Sequence, residues 1–294
     1  MRMIVTGRHG QLARALAERG PAEGVEIVLV GRPELDFARP SDWTRLFGEL
    51  SPTVIVNAAA YTRVDDAETD PAAMVVNGEA AGAVARAAHA LGVPVVQVST
   101  DYVFDGKRDR PYREDDPTAP VNGYGRSKLA GEEAVAREAP DHAILRTSWV
   151  CSPFGRNFVK TMLALAGSRD RLSVVGDQHG SPTSAIDLAD GVIGVARNLL
   201  SRPCAAELRG VFHMTGGGET TWAEFARAIF AESAARGGPT AHVEAIPSSA
   251  YPTPARRPFN SRLDCSRLRR THGIALPDWR QSLGPIVERC LAEA

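Results

Sequence analysis

Met3-Ile4-Val5-Thr6-Gly7-Arg8-His9-Gly10-Gln11-Leu12-Ala13 opens the chain, and its reading decides the fold. Residues 3–5 form a short apolar strand. A glycine-rich turn follows, and Leu12, Ala15, Leu16 and Arg19 then recur at helical spacing. Gly7 permits the tight turn. Gly10 lets a pyrophosphate come close to backbone N–H groups at a helix N-terminus, where the helix dipole favours negative charge. The third glycine of the usual fingerprint is replaced by Ala13, still small enough for helix–strand packing. A glycine pattern alone is weak, and a plain strand–helix turn is the competing reading. Its position between a first strand and a first helix favours dinucleotide binding.

Working outward, residues 25–30, 54–56, 93–98 and 144–145 are further short β-rich apolar runs. Alanine-rich helical stretches, 80–91 and 127–137, lie between them. Continuous apolar strands alternating with helices indicate a parallel sheet covered on both faces. The fold class is therefore α/β, a Rossmann-like doubly wound sheet. After Trp149 the regularity breaks. Residues 157–166, 184–200 and 221–235 read as helices, 172–175 and 211–214 as strands, and the proline- and arginine-rich 247–258 as loop. Ser184 and Asp187 suit the start of the second of these helices. The expected division is a dinucleotide-binding domain over 1–150, with 183–215 returning to it. A smaller, sequence-interleaved C-terminal substrate region comprises 151–182 and 216–294.

The chain has 294 residues, enough for one large or two modest domains. Apolar residues at 44% and charged residues at 23% exclude a disordered chain. A net charge of −1 leaves no basic footprint for nucleic acid. No apolar stretch approaches the roughly 20 residues of a membrane helix, and the N-terminus lacks a secretory pattern, so a cytoplasmic protein is expected. Cys151, Cys204, Cys265 and Cys290 are scattered without metal-ligand spacing and read as reduced thiols, with no metal expected.

The end of the second strand bears on which dinucleotide binds. Val30-Gly31-Arg32-Pro33 offers Arg32, with Arg8 nearby, in place of the carboxylate that accepts from the adenosine ribose in NAD-selective sites. An arginine there pairs with a 2′-phosphate, so NADPH is expected, with NADH as the alternative. A solvated loop arginine is the competing reading. Asp36 and Phe37 read as contacts on the adenine side. In Val56-Asn57-Ala58-Ala59-Ala60-Tyr61, three alanines at a strand's carboxyl end leave room for a ligand, or reflect tight packing against a helix.

Tyr124-Gly125-Arg126-Ser127-Lys128 places Tyr124 and Lys128 four apart, on one helical face. Ser99-Thr100-Asp101-Tyr102 ends the preceding strand, so both groups reach the same rim of the sheet. Ketone reduction needs hydride on carbon and a proton on oxygen. Tyrosine, with a pKa of about 10, is protonated at neutral pH and donates. A neighbouring ammonium stabilises the phenolate, each unit of lowering being worth about 1.4 kcal/mol. Thr100 supplies a hydroxyl that orients the carbonyl oxygen; for Thr100 and Asp101 a strand-end cap is the alternative.

These stretches, together with VSTDYVFDG from Val98, PVNGYGRSKLAGE from Pro120, LRTSWV from Leu145, VVGDQHGSPT from Val174 and RPFNSRLDCSRL from Arg257, resemble the dTDP-4-dehydrorhamnose reductases, extended short-chain dehydrogenase/reductases. The likeness runs over nearly the whole chain. It implies reduction of the C4 ketone of dTDP-4-dehydro-L-rhamnose to dTDP-L-rhamnose. By matched position, Tyr124 is the implied proton donor, Lys128 its partner and Thr100 the orienting hydroxyl. Asp101 and Trp149 are implied sugar contacts, and Gly10, Gln11, Leu12, Asp36, Phe37, Ala60, Tyr61 and Thr62 implied cofactor contacts.

The chain departs from the family pattern at Ala13 and at Gly123, where valine or threonine is commoner. Neither touches the chemical groups, so activity is expected to survive both. Ala15 and Ile186 stand where some members carry glutamates associated with magnesium at a subunit contact. The resemblance leaves room for a homodimer.

On the substrate side, Arg257 is expected on the diphosphate, with Arg256 and Arg262 nearby. Trp149 offers an aromatic face to a sugar or base, or fills a core. Dehydratases of this fold carry an acidic pair after the strand-end threonine; Tyr102 follows Asp101 here, which favours simple reduction. The alternatives are a reductase of another dTDP-4-keto-6-deoxy sugar, or a non-catalytic dinucleotide-binding regulatory subunit.

Overall fold

The computed structural model describes residues 1–293. The chain runs β1 (Arg2–Thr6), α1 (Gln11–Arg19), β2 (Glu26–Val30), α2 (Thr44–Glu49), β3 (Val54–Asn57), α3 (Ala72–Met74), α4 (Ala80–Ala90), β4 (Val95–Thr100), α5 (Gly123–Glu138) and β5 (His142–Thr147). It continues through β6 (Val150–Cys151), α6 (Phe158–Ala166), β7 (Arg171–Val175), β8 (His179–Gly180), β9 (Thr183–Ser184), α7 (Ala185–Ser201), β10 (Gly210–His213), β11 (Thr220–Thr221), α8 (Trp222–Ala234), β12 (His242–Ile246), α9 (Ser266–His272) and α10 (Trp279–Ala292).

Successive residues of a strand point to opposite faces, so a sheet buried on both faces needs unbroken apolar strands. In β1, Met3 and Val5 enter one core while Ile4 enters the other. Val54 and Val56 of β3 likewise oppose Ile55. The result is a six-stranded sheet in the order β10-β5-β4-β3-β1-β2, parallel throughout. Residues of α1, α7 and α9 line the first core; those of α2, α4 and α5 line the second. The strand order reverses beside β1, which places a crevice at the carboxyl ends of β1 and β3–β5.

A third core joins α6, α8 and α10 over the parallel pair β7–β12. Two further short pairs are β6–β9, parallel, and β8–β11, antiparallel. Within residues 216–294, α9 departs from its neighbours, since Leu268 packs into the first core under the sheet.

Several elements differ from the sequence reading. α5 starts at Gly123 rather than 127, because the Asn122 side chain accepts from Gly125 N at 2.7 Å and caps the helix. α4 is preceded by α3 and a π-helical turn, Val75–Glu79. The strand at 93–98 lies at Val95–Thr100. α2, β12, α9 and α10 were not anticipated.

Candidate active site

The turn after β1 has the conformation its glycines predict. Gly7 sits at φ +94, and its N–H donates to Val30 O at 2.7 Å. Gly10 precedes α1 in extended conformation, and no side chain caps the helix there. A Cβ at Gly10 would meet nothing within 4 Å. The first N–H groups of α1 thus lack a side-chain cap, which is the condition for an anion to take that place. Leu12 and Ala13 are buried beneath. Gln11 has a different occupation: Nε2 donates to Val150 O at 3.2 Å, while Oε1 accepts from Ser152 at 2.7 Å and Asn157 at 3.1 Å.

Around the second strand, Arg32 is exposed. Arg8 donates to Arg32 O at 3.1 Å and pairs with Glu34 at 2.9 Å, so a carboxylate stands in this turn after all, already neutralised by Arg8. Asp36 accepts from Ala38 N at 3.1 Å, and Phe37 is buried in a stack on Trp43, 5.1 Å between centroids. Past β3, Ala60 is partly open and Thr62 exposed. Tyr61 N–H donates to Asn77 at 2.8 Å, and its hydroxyl to Asp70 at 2.8 Å.

A buried polar ladder crosses the strand ends. Thr6 donates to Asn57 at 2.6 Å, Asn57 to Gln97 at 2.7 Å, and Gln97 to Val98 O at 2.9 Å. Lys128 Nζ donates to the same Val98 O at 2.7 Å. The glycine turn and the helix bearing Lys128 are thus joined through β1, β3 and β4. Asn77 anchors the other side of α5 through Ser127 at 2.9 Å.

α5 lies close to its neighbours because of its glycines. A Cβ at Gly125 would fall 2.1 Å from Tyr102 O, and one at Gly131 2.1 Å from Asn77 O. At Gly123 it would fall 2.2 Å from Ala67 O. That glycine therefore has a packing reason in this chain.

Tyr124, in the first turn of α5, lies beside the Thr100 hydroxyl at the end of β4, and Lys128, one turn on, reaches Val98 O of the same strand. Burial pushes the Tyr124 phenol above its ordinary value, Asp101 adds to this, and the Thr100 hydroxyl opposes it. The Tyr102 ring stands edge-on to Tyr124 at 6.0 Å. Lys128 is buried, and desolvation pushes its ammonium down to about 8 while Glu132 opposes the fall. Asp101 is buried with one oxygen accepting from Thr100 at 2.8 Å and the other without a partner. Burial pushes its carboxyl up to about 7, against the hydrogen bond from Thr100.

Trp149 follows β5 with φ +46, a left-handed conformation rare for a bulky residue. One face stacks on Trp222 at 3.5 Å and 9°. Arg257 is half-buried and pairs with Asp65 at 2.9 Å. Arg262 is committed to Glu219 at 3.0 Å, and Arg256 is exposed. The crevice thus assembles Thr100, Asp101, Tyr124 and Lys128. It leaves Phe37 in the core, and Arg257 already has a carboxylate partner.

Sequence reasoning missed Asn57, Asn77, Gln97, Glu132 and Arg146. Asn57, Gln97 and Arg146 are lone polar residues in apolar strands, whereas Asn77 and Glu132 stand in polar surroundings that gave no signal. Among the described residues no group of three or more His, Cys, Asp or Glu could hold a metal, and no helix is long and apolar enough to cross a membrane.

A parallel sheet with an open glycine turn and a Tyr–Lys helix at its carboxyl edge defines an oxidoreductase of the short-chain dehydrogenase/reductase class. The RmlD substrate binding domain family matches residues 1–292. A dTDP-4-dehydrorhamnose reductase of Sinorhizobium fredii is 50% identical over 294 residues, covering 100% of this chain and 99% of the relative. The crystal structure of a dTDP-4-dehydrorhamnose reductase from Clostridium acetobutylicum superposes with TM-score 0.90 at 34% identity, covering 100% of both chains. That of the Bacillus anthracis reductase in complex with NADP gives 0.88 at 36%, covering 100% of this chain and 99% of the other. The chain belongs to the dTDP-4-dehydrorhamnose reductase family.

Proposed function

We propose that this chain reduces the C4 ketone of dTDP-4-dehydro-L-rhamnose to dTDP-L-rhamnose with NADPH. The observation that supports this reading is that α5, bearing Tyr124 and Lys128, packs on β4 with Tyr124 beside Thr100 and Lys128 on Val98 O, on the strand-end polar ladder that leads to the glycine turn. The residues fit a dinucleotide. Gly7, Gly10 and the α1 N-terminus would hold its diphosphate, Arg32 a 2′-phosphate, and Ala60, Tyr61, Thr62, Tyr124 and Lys128 the nicotinamide side. When bound, the cofactor supplies the hydride to C4.

The chain's own groups handle the oxygen. Thr100 donates a hydrogen bond to the carbonyl and orients it toward Tyr124. The Tyr124 phenol gives its proton to the developing alkoxide, and the Lys128 ammonium stabilises the phenolate left behind. Asp101 and Trp149 contact the sugar, and Arg257 exchanges Asp65 for the diphosphate. In this division residues 1–150 and 183–215 hold the cofactor, while 151–182 and 216–294 hold the sugar nucleotide. The NADP named for the Bacillus anthracis reductase supports the choice of NADPH.

The test is a spectrophotometric assay of the purified protein with dTDP-4-dehydrorhamnose, run beside other dTDP- and GDP-4-keto sugars and with both nicotinamides. Consumption of NADPH with dTDP-4-dehydrorhamnose at the highest kcat/KM is the expected result. No cofactor consumption with any sugar overturns the enzyme reading, and equal kcat/KM for NADH removes the role of Arg32.

A further inference from the structure

We propose that Glu132 is a positioning residue for the Lys128 ammonium: clamped by Ser99 and Arg146, it sets a fixed negative charge one helical turn from Lys128 and braces the helix of Tyr124 against the strand of Thr100. The inference rests on the reading of Lys128 as the partner of Tyr124.

Glu132 and Lys128 are i,i+4 neighbours on α5, both buried. The Glu132 carboxylate takes three donors. Ser99 donates at 2.5 Å from β4, and Arg146 donates from β5 through Nε at 2.9 Å and Nη2 at 2.7 Å. Ser99 and Arg146 are register partners, directly preceding the partners Thr100 and Thr147. One carboxylate therefore ties together the three elements that surround the proposed proton donor. Both side chains of the ion pair are 5% exposed. A buried pair of this kind is often no more stabilising than apolar packing of the same volume. What apolar packing does not supply is charge of defined sign at a defined place. The remaining Arg146 nitrogen, Nη1, is buried without a partner, and the guanidinium lies 5.0 Å from the Phe104 ring centroid. The positive charge is thus held by Glu132 and an aromatic face.

Other charged and titratable groups lie on α5 and on the elements packed around it. On α5 itself there is the neutral Tyr124 phenol, and at the turn after β4 Asp101 and Tyr102. Glu68 sits at the start of α5, on Gly123 N and Arg126. Arg86 of α4 pairs with Glu138 at the far end. On β10, burial and Arg146 push the His213 imidazole down to about 3, so it is neutral. Glu132 is the carboxylate one helical turn from Lys128 and Arg146 is the cation that balances it, so removing either one unbalances the field at Lys128 in a known direction.

Lysine occurs at only three positions, Lys107, Lys128 and Lys160, so lysine labelled with 13C at the ε carbon gives a resolvable titration of the cofactor-free protein. Glu132→Gln leaves Arg146 unbalanced and lowers the Lys128 midpoint by about one unit, a tenfold change in proton affinity. Arg146→Met leaves Glu132 unbalanced and raises it. The alkaline limb of kcat moves in the same direction in each variant. Opposite shifts in the two variants support the proposal. Lower kcat with an unmoved Lys128 midpoint in both overturns it and leaves Glu132 a structural brace. If Glu132→Gln does not fold, the sign of the Arg146→Met shift decides alone: a rise supports, no movement overturns. The titration needs no turnover, so an intact midpoint shift beside an active Tyr124→Phe variant would fault the proton-donor reading and not this one.

Discussion

Asp101 is placed where a carboxylate is poorly solvated. It is 3% exposed, and one of its oxygens has no partner. Its folded value of about 7 lies above the ordinary 3.8. The folded protein therefore holds this proton more firmly than the unfolded chain. The stability this confers is complete below about pH 4 and lost as pH rises through 7. Asp101→Asn should remove that loss, raising unfolding free energy at pH 8 by on the order of 2–4 kcal/mol while leaving it nearly unchanged at pH 4. Urea unfolding at both pH values checks this, and parallel losses in the two proteins would refute it. Lys128 has the opposite sign: its folded value of about 8 lies below 10.5, so its contribution is present above 10.5 and lost as pH falls through 8. In the reduction direction the protonated form is the useful one, so kcat should decline above about pH 8. At Tyr124 the expected outcome of Tyr124→Phe is a fall in kcat of about 10²–10⁴-fold. NADPH affinity, read by fluorescence titration, should stay within about twofold. Wild-type turnover would end the proton-donor role.

At the scale of elements, β8 sets where Trp149 lies. A Cβ at Gly180 would fall 2.4 Å from the indole, whose other constraints are the Trp222 stack and the left-handed backbone. Gly180→Ala should displace the indole and raise KM for the sugar nucleotide several-fold, with NADPH KM unchanged; equal effects on both would show a general disturbance. In α5, Gly125→Ala pushes the helix off Tyr102 O and should lower kcat more than stability explains, read as activity against Tm. What the sequence made legible follows the same lines. β1, β3 and β4 read clearly because both their faces are buried. β12 did not, because in His242–Ile246 only Val243 is buried. α10 carries Gly284 and Pro285 in its interior, which look like loop residues until its buried side is seen against α8. The placement of Tyr124 and Lys128 on one helix and Thr100 at a strand end was legible from spacing. Glu132 and Arg146 were not, because each is defined by a partner brought in from another element.

Across the whole molecule, two cores sandwich the sheet and a third supports the smaller region. The crevice lies where they meet, and among the side chains that cross it are Asp65 with Arg257 and Asn122 with Arg256 O. Gln11 crosses too: it begins the helix beneath the glycine turn and reaches Val150, Ser152 and Asn157 on the far side. Its amide works as a mooring line between two lobes. If a diphosphate settles on the α1 N-terminus, the same side chain connects that event to the segment that follows Trp149. Nicotinamide dinucleotide added alone should accordingly slow deuterium uptake not only in residues 7–13 but also in 150–158. Exchanging the amide for a methyl in Gln11→Ala should confine that slowing to the near shore.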